Sequence, residues 1–150
     1  LPVDFSGNDR TSIRNNINTA SKAKKHLENK GVIIIFPSGS VSTAKSLKSE
    51  AQDDEWKSFP ARLVHETNTD ILPIYFDGKN GLLFHLFASK MKSSTLKYSS
   101  YIHETRKKIG KEIDIYAGSI IKYDNISHIK DKNSLIQHLK DITYNLKNEI

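Results

Sequence analysis

The chain has 150 residues, 23 Lys and Arg against 17 Asp and Glu, a net charge of +6 and no cysteine. That is enough for one domain with a real core, and it excludes a disulfide framework or a thiolate metal site. The basic balance favours anionic partners such as phosphates, nucleic acid or an anionic membrane surface, or simply a solvated surface.

Leu1-Pro2-Val3-Asp4-Phe5 reads as a strand with no lead-in, which suggests that an upstream part is absent; the segment is no signal peptide. After the turn at Ser6 to Asp9, Ile13, Ile17, Ala20 and Leu27 recur at helical spacing, and Gly31 stands where a C′ glycine would end the helix. Val32-Ile33-Ile34-Ile35-Phe36 is a continuous run, mostly β-branched, the pattern of a strand buried on both faces of a parallel sheet. Strand, helix and strand at this spacing predict a βαβ unit. Pro37-Ser38-Gly39-Ser40 breaks the strand, and Ser42 to Asp54 reads as a polar excursion.

Trp56, Phe59, Leu63 and Val64 mark a second helix, with Ser58 as its cap and Pro60 in its first turn. Ile71 to Phe76 is a strand whose Pro73 implies an edge position or a bulge. Leu82 to Ala88 is apolar nearly all round. A basic helix follows over Ser99 to Lys108, a strand over Ile113 to Ile121, and an amphipathic helix from about Asn133 to Lys147 that carries Leu135, Leu139, Ile142 and Leu146. The alternation predicts one α/β domain over residues 1–150, a mostly parallel sheet covered by helices and lacking its N-terminal element. No apolar run reaches the roughly 20 residues that span a bilayer.

In an open α/β sheet, ligands bind beyond the carboxyl ends of strands. Phe36 to Ser42 is the most exposed such end. Its glycine allows close approach of the backbone, and its hydroxyls and amides can hold phosphate or carbonyl oxygens. It lacks the ending of a Walker P-loop and the paired glycines of a nucleophile elbow. The other reading is an ordinary strand-ending turn.

Here the sequence resembles the glycerolipid acyltransferase superfamily, which carries a Phe-Pro-Glu-Gly-Thr-Arg block after an Ile/Val-rich strand. Phe36, Pro37 and Gly39 match; Ser38 replaces the glutamate and Val41 the arginine. Phe36 to Ser42 is closer to the Phe-Pro-Ala-Gly-x-Val-Ser variant of the branch labelled hemolysin or ornithine-lipid-type lysophospholipid acyltransferase. Leu1 to Gly7 is similar to the preceding family block, Asn15-Asn16 fit the same branch, and Leu72-Pro73-Ile74 is similar to the following block. Trp56, Phe59 and Ala61-Arg62-Leu63 are placed as in that branch.

The resemblance implies acyl transfer from acyl-CoA or an acyl carrier protein to a lysophospholipid-like acceptor, without metal or organic cofactor. It implies a cytoplasmic setting, peripheral on the inner face of the cell membrane. It also implies that Phe36, Pro37, Ser38, Gly39, Ser40 and Val41 form the acceptor-binding residues. With the family's acidic and basic side chains replaced, backbone amides near Gly39 and the hydroxyls of Ser38 and Ser40 would take over their role.

The family's catalytic His-x4-Asp lies upstream of all these blocks, so no catalytic residue is assigned in this chain. His65 and Asp70 match its spacing, but they fall between the third and fourth blocks, at a helix end and a turn. Leu82 to Phe87 with Lys90 and Lys92 is the candidate membrane contact, unless it packs into the core or lines the acyl pocket. Arg106, Lys107, Lys108 and Lys111 are a basic cluster for lipid phosphates or an acidic carrier, or a solvated helix face. A non-catalytic remnant binding lipid or a partner chain is the first alternative. A nucleic-acid-binding domain is the second, and it lacks any recognised base-reading module.

Overall fold

The computed structural model describes residues 10–42, 52–78 and 94–148. In chain order these form α1 (Arg10–Glu28), α2 (Phe59–Thr67), β1 (Ile74–Asp77), α3 (Ser94–Lys108), β2 (Asp114–Ala117), a short α4 (Tyr123–Ile126) and α5 (Lys132–Asn145), which runs into a 3-10 turn at Leu146–Asn148. The strand expected over Leu1 to Phe5 and the apolar stretch Leu82 to Ala88 lie outside the described residues.

The sheet corrects the sequence reading. Among the described residues it has two strands, β1 and β2, paired antiparallel with Ile74 opposite Ala117 and Phe76 opposite Ile115. Among the described residues there is no mostly parallel sheet covered by helices, and Val32 to Phe36, the second strand of the expected βαβ unit, is not part of a sheet. Val32 to Phe36 forms no regular element and pairs with neither strand. Val32, Ile34 and Phe36 are 83%, 79% and 69% exposed, while Ile33 and Ile35 are half-buried. A β-branched run records a backbone preference for the extended state, and burial on both faces needs a partner that the run itself does not specify.

Pro73 explains why β1 is short. Ile71 and Ile121 form an isolated antiparallel bridge, exchanging hydrogen bonds of 2.9 and 2.8 Å. Pro73 has no N–H to donate, but its carbonyl accepts from Gly118 N at 3.0 Å. The regular ladder starts only at Ile74. The expected strand over 113–121 is therefore resolved into β2 and this bridge.

Helix α1 has the expected period but not the expected buried face. Ser12, Thr19 and Ala23 are buried, whereas Ile13 and Ile17 are exposed. Its end also shifts by one residue: Lys30, not Gly31, takes the left-handed conformation at φ 61°. Lys30 N donates to Leu27 O at 2.9 Å and Gly31 N to His26 O at 2.9 Å, the two bonds of a Schellman ending. Gly31 serves a different need, because a Cβ there would stand 2.3 Å from the His26 ring.

Helix α2 begins after Ser58 with Pro60 in its first turn, as expected, although the Ser58 side chain makes no capping bond. It ends at Asn68, which is left-handed at φ 52°. Asp131 caps α5 by accepting from Ser134 N at 2.7 Å and from its hydroxyl at 2.8 Å. The core lies between α2 and α5: Ala61 and Val64 pack on Leu135, Ile136 and Leu139, and Ile126 of α4 closes one side. Trp56, Ile71, Ile121, Tyr123 and Ile129 pack around it. Leu135 and Leu139 are buried as predicted.

Candidate functional site

The segment following Val32 to Phe36 turns sharply. Gly39 N donates to Phe36 O at 3.1 Å, and Gly39 itself has φ 66°, which a residue with a Cβ adopts only under strain. Ser38 is buried, and its hydroxyl is used inside the turn. It donates to Ser40 O at 2.9 Å and lies 3.4 Å from Ser40 N, which donates to it. Ser38 and half-buried Pro37 thus shape the loop, while Phe36, Gly39, Ser40 and Val41 face solvent.

A second segment clamps this loop. Lys57 N donates to Pro37 O at 3.0 Å. Ser40 Oγ donates to Asp54 Oδ2 at 2.7 Å, and Ser42 Oγ donates to Asp53 Oδ1. Asp53 is the centre of the arrangement. Its other carboxylate oxygen accepts from Trp56 Nε1 at 2.8 Å, and its backbone N donates to the Tyr144 hydroxyl at 3.0 Å. Lys140 Nζ donates to the carbonyls of Asp53 and Asp54 at 3.3 and 3.4 Å. Burial pushes the Tyr144 phenol up from its ordinary pKa, and the Asp53 charge adds to that effect, so Tyr144 stays a neutral hydroxyl at physiological pH.

The loop is therefore held to α5 across most of the chain's length. Sequence reasoning found the loop but missed its holders. Asp53 and Asp54 lay in a stretch read only as polar, and neither Lys140 nor Tyr144 belongs to a recognisable motif. Beside the clamp, Glu55 and Trp56 face Ile136, Gln137 and Lys140 across a shallow cleft of about 610 Å³.

The hydroxyls of Ser40 and Ser42 are thus donated to carboxylates of Asp54 and Asp53, and the Lys140 ammonium stands on the carbonyls of the same two residues, so charges of both signs flank the loop.

His65 and Asp70 are each held by other groups. The His65 Nε2 is 3.1 Å from Ile129 O, and its ring meets Tyr123 edge-on. Asp70 accepts from Lys122 Nζ at 2.8 Å and from Tyr123 N at 2.9 Å. These two bonds, the lysine's first, hold the Asp70 carboxyl below its ordinary pKa. The structure gives this pair no mutual hydrogen bond.

The basic cluster at the end of α3 borders another cleft, of about 480 Å³. Lys107, Lys108 and Lys111 stand there with Phe76 and Ile113, together with Asp77, Glu104 and Glu112. Glu104 is buried and lies 3.6 Å from Lys107 Nζ. Among the described residues, no cluster of three metal-ligating side chains occurs and no helix is long and apolar enough to cross a membrane.

No family model matches the chain, and no solved structure matches it. It is similar to the lyso-glycine lipid O-acyltransferase of Phocaeicola vulgatus, with 24% identity over 150 residues. The match covers 97% of this chain but 51% of that protein, so the chain spans about half the length of the curated relative it matches. That similarity supports an acyltransferase relationship.

Proposed function

We propose that this chain is the acceptor-binding part of a lipid O-acyltransferase, with Phe36 to Val41 as the surface that receives a lysolipid. The observation that carries this reading is a similarity running along 97% of the chain to a protein named for acylating a lyso-glycine lipid. The clamped loop supports it, because a binding surface held on rigid neighbours orders little on meeting its ligand. Gly39 leaves room for the lipid to approach the backbone, and exposed Phe36 and Val41 offer apolar contact to its chain. The name of the relative favours a lyso-glycine lipid as the acceptor over a lysophospholipid. The acyl donor is acyl-CoA or an acyl carrier protein. His65 has a structural role here, since its ring is held against Ile129 and Tyr123.

The test titrates lysolipids into the full chain and follows the fluorescence of Trp56, next to an acyl-transfer assay with both donor types. Saturable binding of a lyso-glycine lipid, weaker binding of lysophosphatidic acid and loss of both in Gly39→Val are the expected results. Absence of saturable binding by the folded chain would overturn the reading. Turnover that disappears in His65→Ala would overturn the role given to that histidine.

A further inference from the structure

The two aspartates that hold the loop are not equivalent. Asp54 reaches Ser40 through an exposed bond, which water can replace. Asp53 is half-buried, and both its carboxylate oxygens, its backbone N and its carbonyl are engaged. Its main chain is held from α5. The Tyr144 hydroxyl accepts from Asp53 N at 3.0 Å, and Lys140 Nζ donates to Asp53 O at 3.3 Å. Lys140 and Tyr144 share one face of the helix at i, i+4 spacing, with the ammonium 5.8 Å from the centre of the Tyr144 ring. Its side chain is given to the loop. One carboxylate oxygen accepts from Ser42, at the end of the loop. The other accepts at 2.8 Å from Trp56 Nε1, in the segment that holds Pro37 through Lys57 N.

We propose that Asp53 is the positioning residue of the acceptor loop: it fixes Phe36 to Val41 relative to α5 and so sets the affinity for the lysolipid. This inference rests on the acceptor-binding reading above. The donors make the requirement specific. An indole N–H only donates, so an acceptor must face Trp56, whereas a serine hydroxyl donates or accepts. A carboxylate receives both donors at once. Asparagine keeps an oxygen on Trp56 and turns its amide to the Ser42 hydroxyl, so it preserves the geometry without the charge. Alanine preserves neither bond.

The experiment measures binding of a lyso-glycine lipid to the full chain by calorimetry, together with hydrogen exchange at Gly39, whose N–H is bonded to Phe36 O. Asp53→Ala should weaken binding about tenfold, and Asp53→Asn by less than about threefold. Exchange at Gly39 should quicken in the alanine variant and stay near the parental rate in the asparagine one. Tyr144→Phe removes the hydroxyl that receives Asp53 N and keeps the ring against Tyr75, and it should weaken binding by about threefold. Both changes act through one residue, so the double variant should bind no more weakly than Asp53→Ala alone. Asp131→Ala breaks the α5 cap at a comparable cost in stability, away from the loop, and should leave the affinity unchanged. Parental affinity in Asp53→Ala overturns the proposal. So does an equal loss in Asp131→Ala, no recovery in Asp53→Asn, or a double variant whose loss is the product of the single losses. Circular dichroism checks that each variant folds. If Asp53→Ala does not fold, Tyr144→Phe carries the test, and parental affinity there overturns the proposal. A parent chain that binds no lysolipid overturns the functional reading instead. Exchange at Gly39 then still decides whether Asp53 sets the loop, and a parental rate in Asp53→Ala overturns the positioning.

Discussion

The α2–α5 side of the molecule and the Val32–Phe36 side are built from similar residues and end in opposite states. On the first, Ala61, Leu135 and Leu139 find partners at helical spacing on two facing helices, and the polar edge is tied by Asp53. On the second, a more apolar run is left with its alternate side chains in solvent. Burial thus follows the availability of a facing surface more closely than the hydrophobicity of a segment.

The sharpest contrast is between one substitution on each side. Leu135→Ala removes a fully buried side chain from the middle of the core and should cost about 2–5 kcal/mol, read by denaturant unfolding. Ile34→Ala should change stability by less than about 0.5 kcal/mol, because its side chain is already in water. Equal costs would mean that the second side is covered and would erase the distinction.

Gly39→Ala probes the junction between the two sides. The left-handed backbone should cost about 1–2 kcal/mol and alter the emission of Trp56. Asp53→Ala leaves the Trp56 N–H and the Ser42 hydroxyl without their shared acceptor, for about 1 kcal/mol. Lys30→Gly should move stability the other way, by up to about 1 kcal/mol, since glycine takes φ 61° without a Cβ penalty.

The smallest effect concerns pH. Hydrogen bonds from the Ser134 backbone and hydroxyl hold the Asp131 carboxyl below its ordinary pKa of 3.8. A depressed folded pKa contributes stability above the unfolded value, and that contribution is lost as pH falls through the folded value. Asp131→Asn should therefore melt slightly below the parent chain at pH 7. The gap should close progressively below pH 3.8. A gap of constant size would show that the cap acts without its charge.

Local features were legible in the sequence because their causes are local. Pro60 near a helix start, Pro73 interrupting a strand and Leu135 with Leu139 on one helix face each follow from a few adjacent residues. The turn at Pro37 to Ser40 was legible for the same reason. The sheet was not, because parallel and antiparallel pairing of Ile71 to Phe76 share one hydrophobic pattern and differ only in the connection. The exposed side chains of α1 show the same limit: spacing gave the period, while which face is buried depends on distant neighbours such as α2, which packs on α1. The holders of the loop escaped notice because Asp53 and Tyr144 are separated by 91 positions.

The ring contacts from Tyr116 through Tyr75 to Tyr144 end at the hydrogen bond to Asp53, which also holds the single tryptophan. Tyrosines so near an indole hand on their excitation when the assembly is intact. Light absorbed in the ribbon should therefore emerge from Trp56, making loss of that transfer an optical readout of whether ribbon, last helix and loop remain joined.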